Sequence, residues 1–328
     1  MFLGVFLQNS GQLSALSAHA LAELVKATDQ FTIRRGETLF RQGMLADALY
    51  IIGSGKLEIT TRTPGDATAA VSAIGPGEVV GEFALLDDGL RSANVTAMAN
   101  SKGLRIPRER FLALLADGKP WTLELIDTLR CLVASRTRVT LERIAAEERY
   151  DVSSLRVPAQ VRETAMVGDA AGLFPALGRL AELGTEGAAK LTDLGTCLTI
   201  PRGTLSTEAA SERRALTIVL RGALRSVLPR REGREQIMVH GPGEMTGLVG
   251  LFDKSQQSLE LEAAEDTVAL QLPQAMFDAM RRSPEPFALA LFAAVGRQLV
   301  RDQRRANRHL GRAVSLEQFN QHCRRSAI

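Results

Sequence analysis

The chain has 328 residues, 45% of them apolar and 23% charged, which suits about two globular domains and argues against disorder. Its net charge of +3 sets up no global field that demands nucleic acid. Cys131, Cys197 and Cys323 are odd in number and far apart, so they offer neither a metal spacing nor a disulfide framework and point to a reducing, cytoplasmic setting.

Residues 2–7 are apolar but too short to span a bilayer, and no charged segment precedes them. They read as a packing segment. Ser17 is placed to cap a short amphipathic helix carrying Leu21, Leu24 and Val25. Residues 31–43 alternate apolar and polar positions between glycines, which predicts short strands joined by turns. Further strands are expected at 49–52, 57–61, 71–74, 95–99 and 103–106, with a hairpin tip at Pro64-Gly65-Asp66. So many short strands at regular spacing predict a β-barrel or roll.

Within this run lies V-V-G-E-F-A-L-L-D-D-G-L-R-S-A-N-V, residues 79–95. A turn at Gly81 lets a backbone approach a ligand closely. A short helix over 84–88 would offer three or four free N–H groups to a phosphate. Arg91 supplies a planar fork for two phosphate oxygens. Glu82, acceptor-only when ionised, suits a sugar hydroxyl. The set fits a small ligand with one phosphate near a free ribose hydroxyl; a buried Glu–Arg pair with no ligand is the bland alternative.

Helices are expected from Pro107 to Leu115 and from Pro120 onward. In the second, Leu125, Leu129, Leu132 or Val133, Arg136, Val139 and Ile144 fall near one face, long enough for a helix–helix seam. Residues 150–171 read as a connector. The order of elements then recurs. Gly75-Pro76-Gly77-Glu78 returns as Gly241-Pro242-Gly243-Glu244, Phe111 as Phe277, Pro120 as Pro286 and Trp121 as Phe287, each 166 positions on. Gly55 and Gly222 lie 167 apart. A constant offset argues for a duplicated domain. It places Leu248 where Glu82 was and Gln257 where Arg91 was, while Gly247 and Ser258 keep their matches. The second copy has lost the sugar acceptor and the phosphate fork, so a structural or partner-docking role is expected for it.

The 79–95 stretch resembles the phosphate-binding cassette of cyclic-nucleotide-binding domains, roughly F-G-E-x-A-L-x-x-x-x-x-R-[AST]-A-x-V. Gly81, Glu82, Ala84, Leu85, Arg91, Ser92, Ala93 and Val95 match, and Val80 replaces the leading aromatic. The resemblance extends to the catabolite-activator and protein kinase A regulatory type of sensory domain. It implies a mainly β, α+β fold: two cyclic-nucleotide-binding β-rolls (double-stranded β-helix, jelly-roll-like), each followed by a long C-terminal helix. The corresponding domains are 1–150 with the intact cassette, a linker at 151–171, and 172–328 with the degenerate cassette and a basic tail. By the same resemblance, Gly81, Glu82, Phe83 and Ala84 contact ribose and phosphate. Arg91, Ser92 and Ala93 hold the phosphate, and Val71, Ser72 and Val80 line an apolar floor. Thr137 stands where a helix Thr reaches the purine in the catabolite-activator branch, or else packs in the helix seam. Ser92 is compatible with cAMP or cGMP, and cAMP is favoured.

No cofactor or metal is expected, because His19, His240, His309 and His322 are isolated and no phosphate loop, nucleophile elbow or kinase signature is present. The expectation is therefore a non-enzyme. Bacterial relatives often add a winged helix-turn-helix; residues 313–328 are too few to build one. The expected output is through a protein partner, without membrane. Two rivals stand: a DNA-associated transcription regulator and a nucleotide-independent structural adaptor. The first draws on Arg297, Arg301, Arg304, Arg305, Arg308 and Arg312, part of a net +6 over residues 297–328, which otherwise reads as a solvated helix face. Residues 121–149 and 287–312 carry matching apolar positions (Leu125/Leu291, Ile126/Phe292, Leu129/Val295, Val133/Leu299). They predict pairing of the two long helices within one chain, giving a pseudo-symmetric monomer, or between chains of a homodimer.

Overall fold

The computed structural model describes residues 11–62, 68–146, 164–165, 171–206, 214–230, 233–254 and 259–326. Its contacts divide the chain into two units, residues 1–133 with 310–328, and residues 134–309. The expected boundary near 150 is thus not where the contacts divide. The predicted hairpin tip, most of the connector, Gln257 and Ser258 lie outside the described residues.

In the first unit, α1 (Ala18–Lys26) starts at Ser17, whose Oγ accepts the Ala20 amide at 3.1 Å, and buries Ala20, Leu21 and Leu24. Eight strands follow: β1 (Asp29–Ile33), β2 (Thr38–Phe40), β3 (Ala48–Ser54), β4 (Leu57–Arg62), β5 (Thr68–Ile74), β6 (Val79–Val80), β7 (Asn94–Ala97) and β8 (Ser101–Pro107). They form two antiparallel sheets, ordered β1-β8-β3-β6 and β2-β7-β4-β5. This is a roll and not a closed barrel. Ile33, Phe40, Tyr50, Ile52, Leu57, Ile74, Val80 and Val95 fill the core. Between β6 and β7 runs α2 (Phe83–Leu86), shorter than the expected 84–88, because Asp87 is extended at φ −148°. Then come α3 (Arg108–Ala116) and α4 (Pro120–Ala146).

The second unit repeats this plan. After α5 (Gly184–Leu194), β10 (Thr196–Ile200), β12 (Ala215–Arg221), β15 (Met245–Thr246) and β17 (Thr267–Pro273) make one sheet, with β9 (Thr164–Ala165) on its edge. The other contains β11 (Leu205–Ser206), β13 (Leu224–Arg230), β14 (Gly233–His240) and β16 (Glu260–Ala263). The orders β15-β12-β17-β10 and β11-β16-β13-β14 are those of the first unit strand for strand. Even the irregularities recur: the register breaks between Ile52 and Ser54 and again between Val219 and Arg221. Gly55 and Gly222 both take positive φ, 96° and 83°, where a Cβ would meet the neighbouring strand connection. A short helix α6 (Leu248–Asp253), α7 (Gln274–Met280) and the long α8 (Pro286–Ser326) complete the set.

Within this unit the C-terminal part of α4 lies against α8. Thr137 Oγ1 donates to Gln303 Oε1 at 2.6 Å, and Gln303 Nε2 donates to Thr140 Oγ1 at 3.2 Å and Asn307 Oδ1 at 2.8 Å. Thr137 and Gln303 are 166 residues apart, so the pair joins equivalent positions of the repeat. The buried line runs through Thr137, Leu141 and Ile144, and Val139 is 45% exposed, contrary to the seam read from the sequence. Among the described residues no helix is long and apolar enough to cross a membrane.

Candidate functional site

The candidate site of the first unit is built on the turn from β6 into α2. Gly81 has φ 82°, and a Cβ there would sit 2.8 Å from the Ala48 carbonyl oxygen and against the Arg91 guanidinium. Only glycine admits both neighbours. Beneath it Arg91, 4% exposed, donates from one terminal nitrogen to Asp47 Oδ1 at 2.8 Å and to the Ala48 carbonyl at 2.9 Å. Its guanidinium carbon lies 4.0 Å from the centre of the Phe40 ring. Asp47 is shared, its other oxygen accepting from Arg105 at 3.0 Å. Burial pushes the Asp47 carboxyl up, but the hydrogen bond and charge of Arg91, with the bond from Arg105, outweigh it and hold the group below its ordinary value.

One donor of this clamp is left over. Arg91 Nε is buried and has no hydrogen-bond partner among the described residues. A buried charged donor without an acceptor is costly, and an oxyanion is the group that satisfies it. Arg108 braces the cassette from α3, donating to the carbonyls of Ala84 and, at 3.2 Å, of Asp87.

The predicted residues divide into three groups. Gly81, Glu82, Phe83, Ala84, Arg91, Ser92 and Ala93 belong to one continuous turn and its return to β7. Glu82, Phe83, Ala84 and Ala93 are buried, at 6%, 7%, 0% and 8% exposure, so Phe83, Ala84 and Ala93 serve the core with their side chains. The expected row of free amides is shortened, since the Ala84 amide bonds to the Gly81 carbonyl at 3.0 Å and the Leu85 amide to the Glu82 carbonyl at 3.1 Å. Val80 is buried in the core, while Val71 is half-buried and Ser72 exposed on β5. Thr137 is the third case: it falls in the second unit, where its Oγ1 donates to Gln303, as the seam alternative has it.

Sequence reading missed Asp47, Arg105 and Arg108. Their signal lay in the repeat, where Arg214, Gln271 and Gln274 stand in their places. A concavity of about 490 Å³ in this unit lies elsewhere, lined by Thr32, Arg34, Asn100 and Lys102 among others. Its polar groups make local turn bonds, such as the Arg35 amide to Asn100 Oδ1 at 2.9 Å.

The corresponding place in the second unit is collapsed. Leu248, buried at 2%, replaces Glu82, and Arg214 donates to the Lys254 carbonyl at 2.6 Å instead of forming a clamp. What remains is a cavity of about 40 Å³ whose walls include Thr137, Leu141, Ser226, His240 and Asp302. Beside it Arg305 grips Glu244 through two bonds, 2.9 and 2.8 Å, and Arg179 donates to the same carboxylate. Burial lowers the His240 pKa to about 4, helped by Arg305, and burial raises that of Asp302 to about 7. Ser226 Oγ lies 2.9 Å from His240 Nε2 and Glu244 Oε2 4.0 Å from Nδ1. Those residue types suit a hydrolase, but the cavity has no room for an acyl substrate and the carboxylate is already taken by arginines. Among the described residues no group of three His, Cys, Asp or Glu side chains is placed to hold a metal.

The basic stripe of α8 is also partly spent. Arg297 pairs with Glu182 at 2.9 Å, Arg301 with Gln298 at 2.8 Å and Arg305 with Glu244.

The family profile described as cyclic nucleotide-binding domain matches residues 30–117 and 197–283. The chain belongs to that family. Among its relatives are a CRP-like cAMP-activated global transcriptional regulator of Mycobacterium tuberculosis, 30% identical over 42% of this chain and 60% of that protein, and a cyclic AMP receptor protein of Thermus thermophilus, 40% identical over 25% and 38%. A cAMP-dependent protein kinase regulatory subunit of Dictyostelium discoideum is 35% identical over 32% of this chain and 33% of its own. In each case less than two thirds of the relative is covered. The regulatory domain of Toxoplasma gondii PKA, solved with cAMP, covers 84% of this chain and 90% of its own at 17% identity, with a TM-score of 0.32.

Proposed function

We propose that the protein is a cyclic-nucleotide sensor that binds one ligand per chain, cAMP in preference to cGMP, in the first unit, and signals through a protein partner. The observation that carries this is the Arg91 clamp: a buried guanidinium fixed by Asp47 under Gly81, with Nε unpartnered. Here the fork is oriented from behind and one donor is kept for an oxyanion. Glu82 beside it serves a ribose hydroxyl, and Ser92 a phosphate oxygen. The preference for cAMP is supported by relatives whose names carry cAMP.

In this reading the ligand is held and not transformed. Differential affinity for two positions of the following helix would convert binding into a signal. The DNA-associated reading draws on the transcription regulators among the relatives, but three of the six arginines it needs are engaged by Glu182, Gln298 and Glu244. The deciding experiment is calorimetric titration with cAMP and cGMP, wild type beside Arg91→Ala. Saturation near one per chain, lost in the variant, is expected. Equal binding by both proteins would refute the reading, and so would absence of binding by wild type.

A further inference from the structure

The collapsed site of the second unit is small but polar, and two of its groups lack partners. His240 is 2% exposed; its Nε2 is occupied by Ser226 Oγ at 2.9 Å and its Nδ1 has no partner among the described residues. Thr246, 6% exposed, has no partner for Oγ1. Both residues line the same cavity, with Thr137, Ser226, Leu248 and Asp302 around them. Nδ1 lies 4.0 Å from Glu244 Oε2, beyond hydrogen-bond reach; buried polar atoms are costly when unbonded, so two of them on residues that line one cavity mark a ligand that bonds to both.

Size and charge identify its class. The cavity is about 40 Å³. Small-molecule sites run to roughly 300–1,000 Å³, whereas one water needs only about 10–15 Å³. The nearby charges are already matched: Glu244 is held by Arg305 at 2.8 Å, Glu260 by Arg234 at 2.9 Å, and Asp302 lies 3.6 Å from Arg305. An ion would therefore find no uncompensated partner, and a neutral molecule that both donates and accepts is required. Such a molecule serves either His240 tautomer, accepting from Nδ1–H when Ser226 donates to Nε2, or donating to Nδ1 in the reverse case.

We infer that this cavity is a hydration site, in which about one to three ordered waters bridge His240 Nδ1 and Thr246 Oγ1. The water ties β14 to β15. This does not rest on the ligand proposed for the first unit.

The test combines crystallography of the full chain, at a resolution that shows ordered water, with the melting temperature of Thr246→Val. Density within hydrogen-bond distance of Nδ1 is expected, and Val should lower the midpoint by about 1–3 °C by removing one of the water's partners. A dry cavity reverses the sign, since Val would then delete an orphaned hydroxyl and raise the midpoint. A dry cavity in the density, or a raised midpoint, overturns the inference. So does saturable cAMP binding retained by the Arg91→Ala chain with nucleotide density in the second unit. Should Thr246→Val fail to fold, the wild-type density decides alone.

Discussion

In the first unit the residue that closes the cassette is Arg91, clamped by Asp47 under Gly81; in the second the same positions are Gln257, Arg214 and Gly247. The scaffold around them is unchanged. Strand order, register breaks and the left-handed glycines repeat, as with Gly81 and Gly247 at φ 82° and 86°. A fold is thus kept by its core and turns while the side chains of the cassette differ between the copies. The second unit then gains interactions the first lacks. Glu244 is gripped by Arg179 and Arg305, while its counterpart Glu78 accepts from Gln12 at 3.0 Å and from the Gly75 amide at 2.7 Å. Where Arg305 stands on α8, the repeat puts Val139 on α4.

That contrast can be broken most severely at Glu244. Glu244→Ala leaves Arg305 without its partner and should cost about 3 kcal/mol, toward the low end for a broken buried pair because the arginines are partly exposed. Thermal melting should show a large drop, with cAMP affinity of the first unit little changed; an unaltered midpoint would mean that the ion pairs do not hold the second unit. In the first unit, Arg91→Ala removes a charge-assisted bond and should weaken cAMP binding by about 1.5–3 kcal/mol, or ten- to a hundredfold and more, and should also lower the melting temperature, because the Ala48 carbonyl loses this donor.

The pH dependence sharpens the comparison because the two buried groups of the second unit oppose each other. His240, lowered from 6.5 to about 4, contributes stability that is present above 6.5 and lost as pH falls through 4. Asp302, raised from 3.8 to about 7, contributes stability that is present below 3.8 and lost as pH rises through 7. Between roughly pH 4.5 and 6 the unfolded chain holds the His proton and the folded chain the Asp proton, so the slopes cancel. Asp302→Asn should uncover the His240 term, with stability climbing by about 1.4 kcal/mol per pH unit in that window. Denaturant titrations at three pH values measure it; a slope equal to that of wild type would show that Asp302 is ionised throughout.

Smaller effects are expected from the supporting residues. Asp47→Asn keeps the shape of the clamp but weakens its charge, and calorimetry should find cAMP affinity lower by about 1 kcal/mol, roughly fivefold. The smallest is a null result: Leu248→Glu with Gln257→Arg restores both lost cassette residues, yet stoichiometry should stay at one per chain. A second equivalent would show that side-chain identity alone, and not the closed cavity, separates the two units.

Much of this was legible in the chain itself. The constant offset between repeats, the glycine turns and the cassette spacing are local patterns, and local patterns fix strands, turns and the position of Gly81 and Arg91. Glycines at left-handed positions allow little else, and alternating apolar residues pair in one register. The tertiary structure decided what depends on distant residues meeting. Asp47 reaches Arg91 across 44 positions, a contact no periodicity announces. Thr137 belongs to the second unit and not the first because a continuous helix carries it there. Arg297 and Arg305 of the arginine stripe are paired with carboxylates from other elements, and His240, isolated in the sequence, becomes with Asp302 one of two buried groups whose titrations oppose each other. Sequence records which groups are available; only packing sets their solvent and their partners, and these determine their charge.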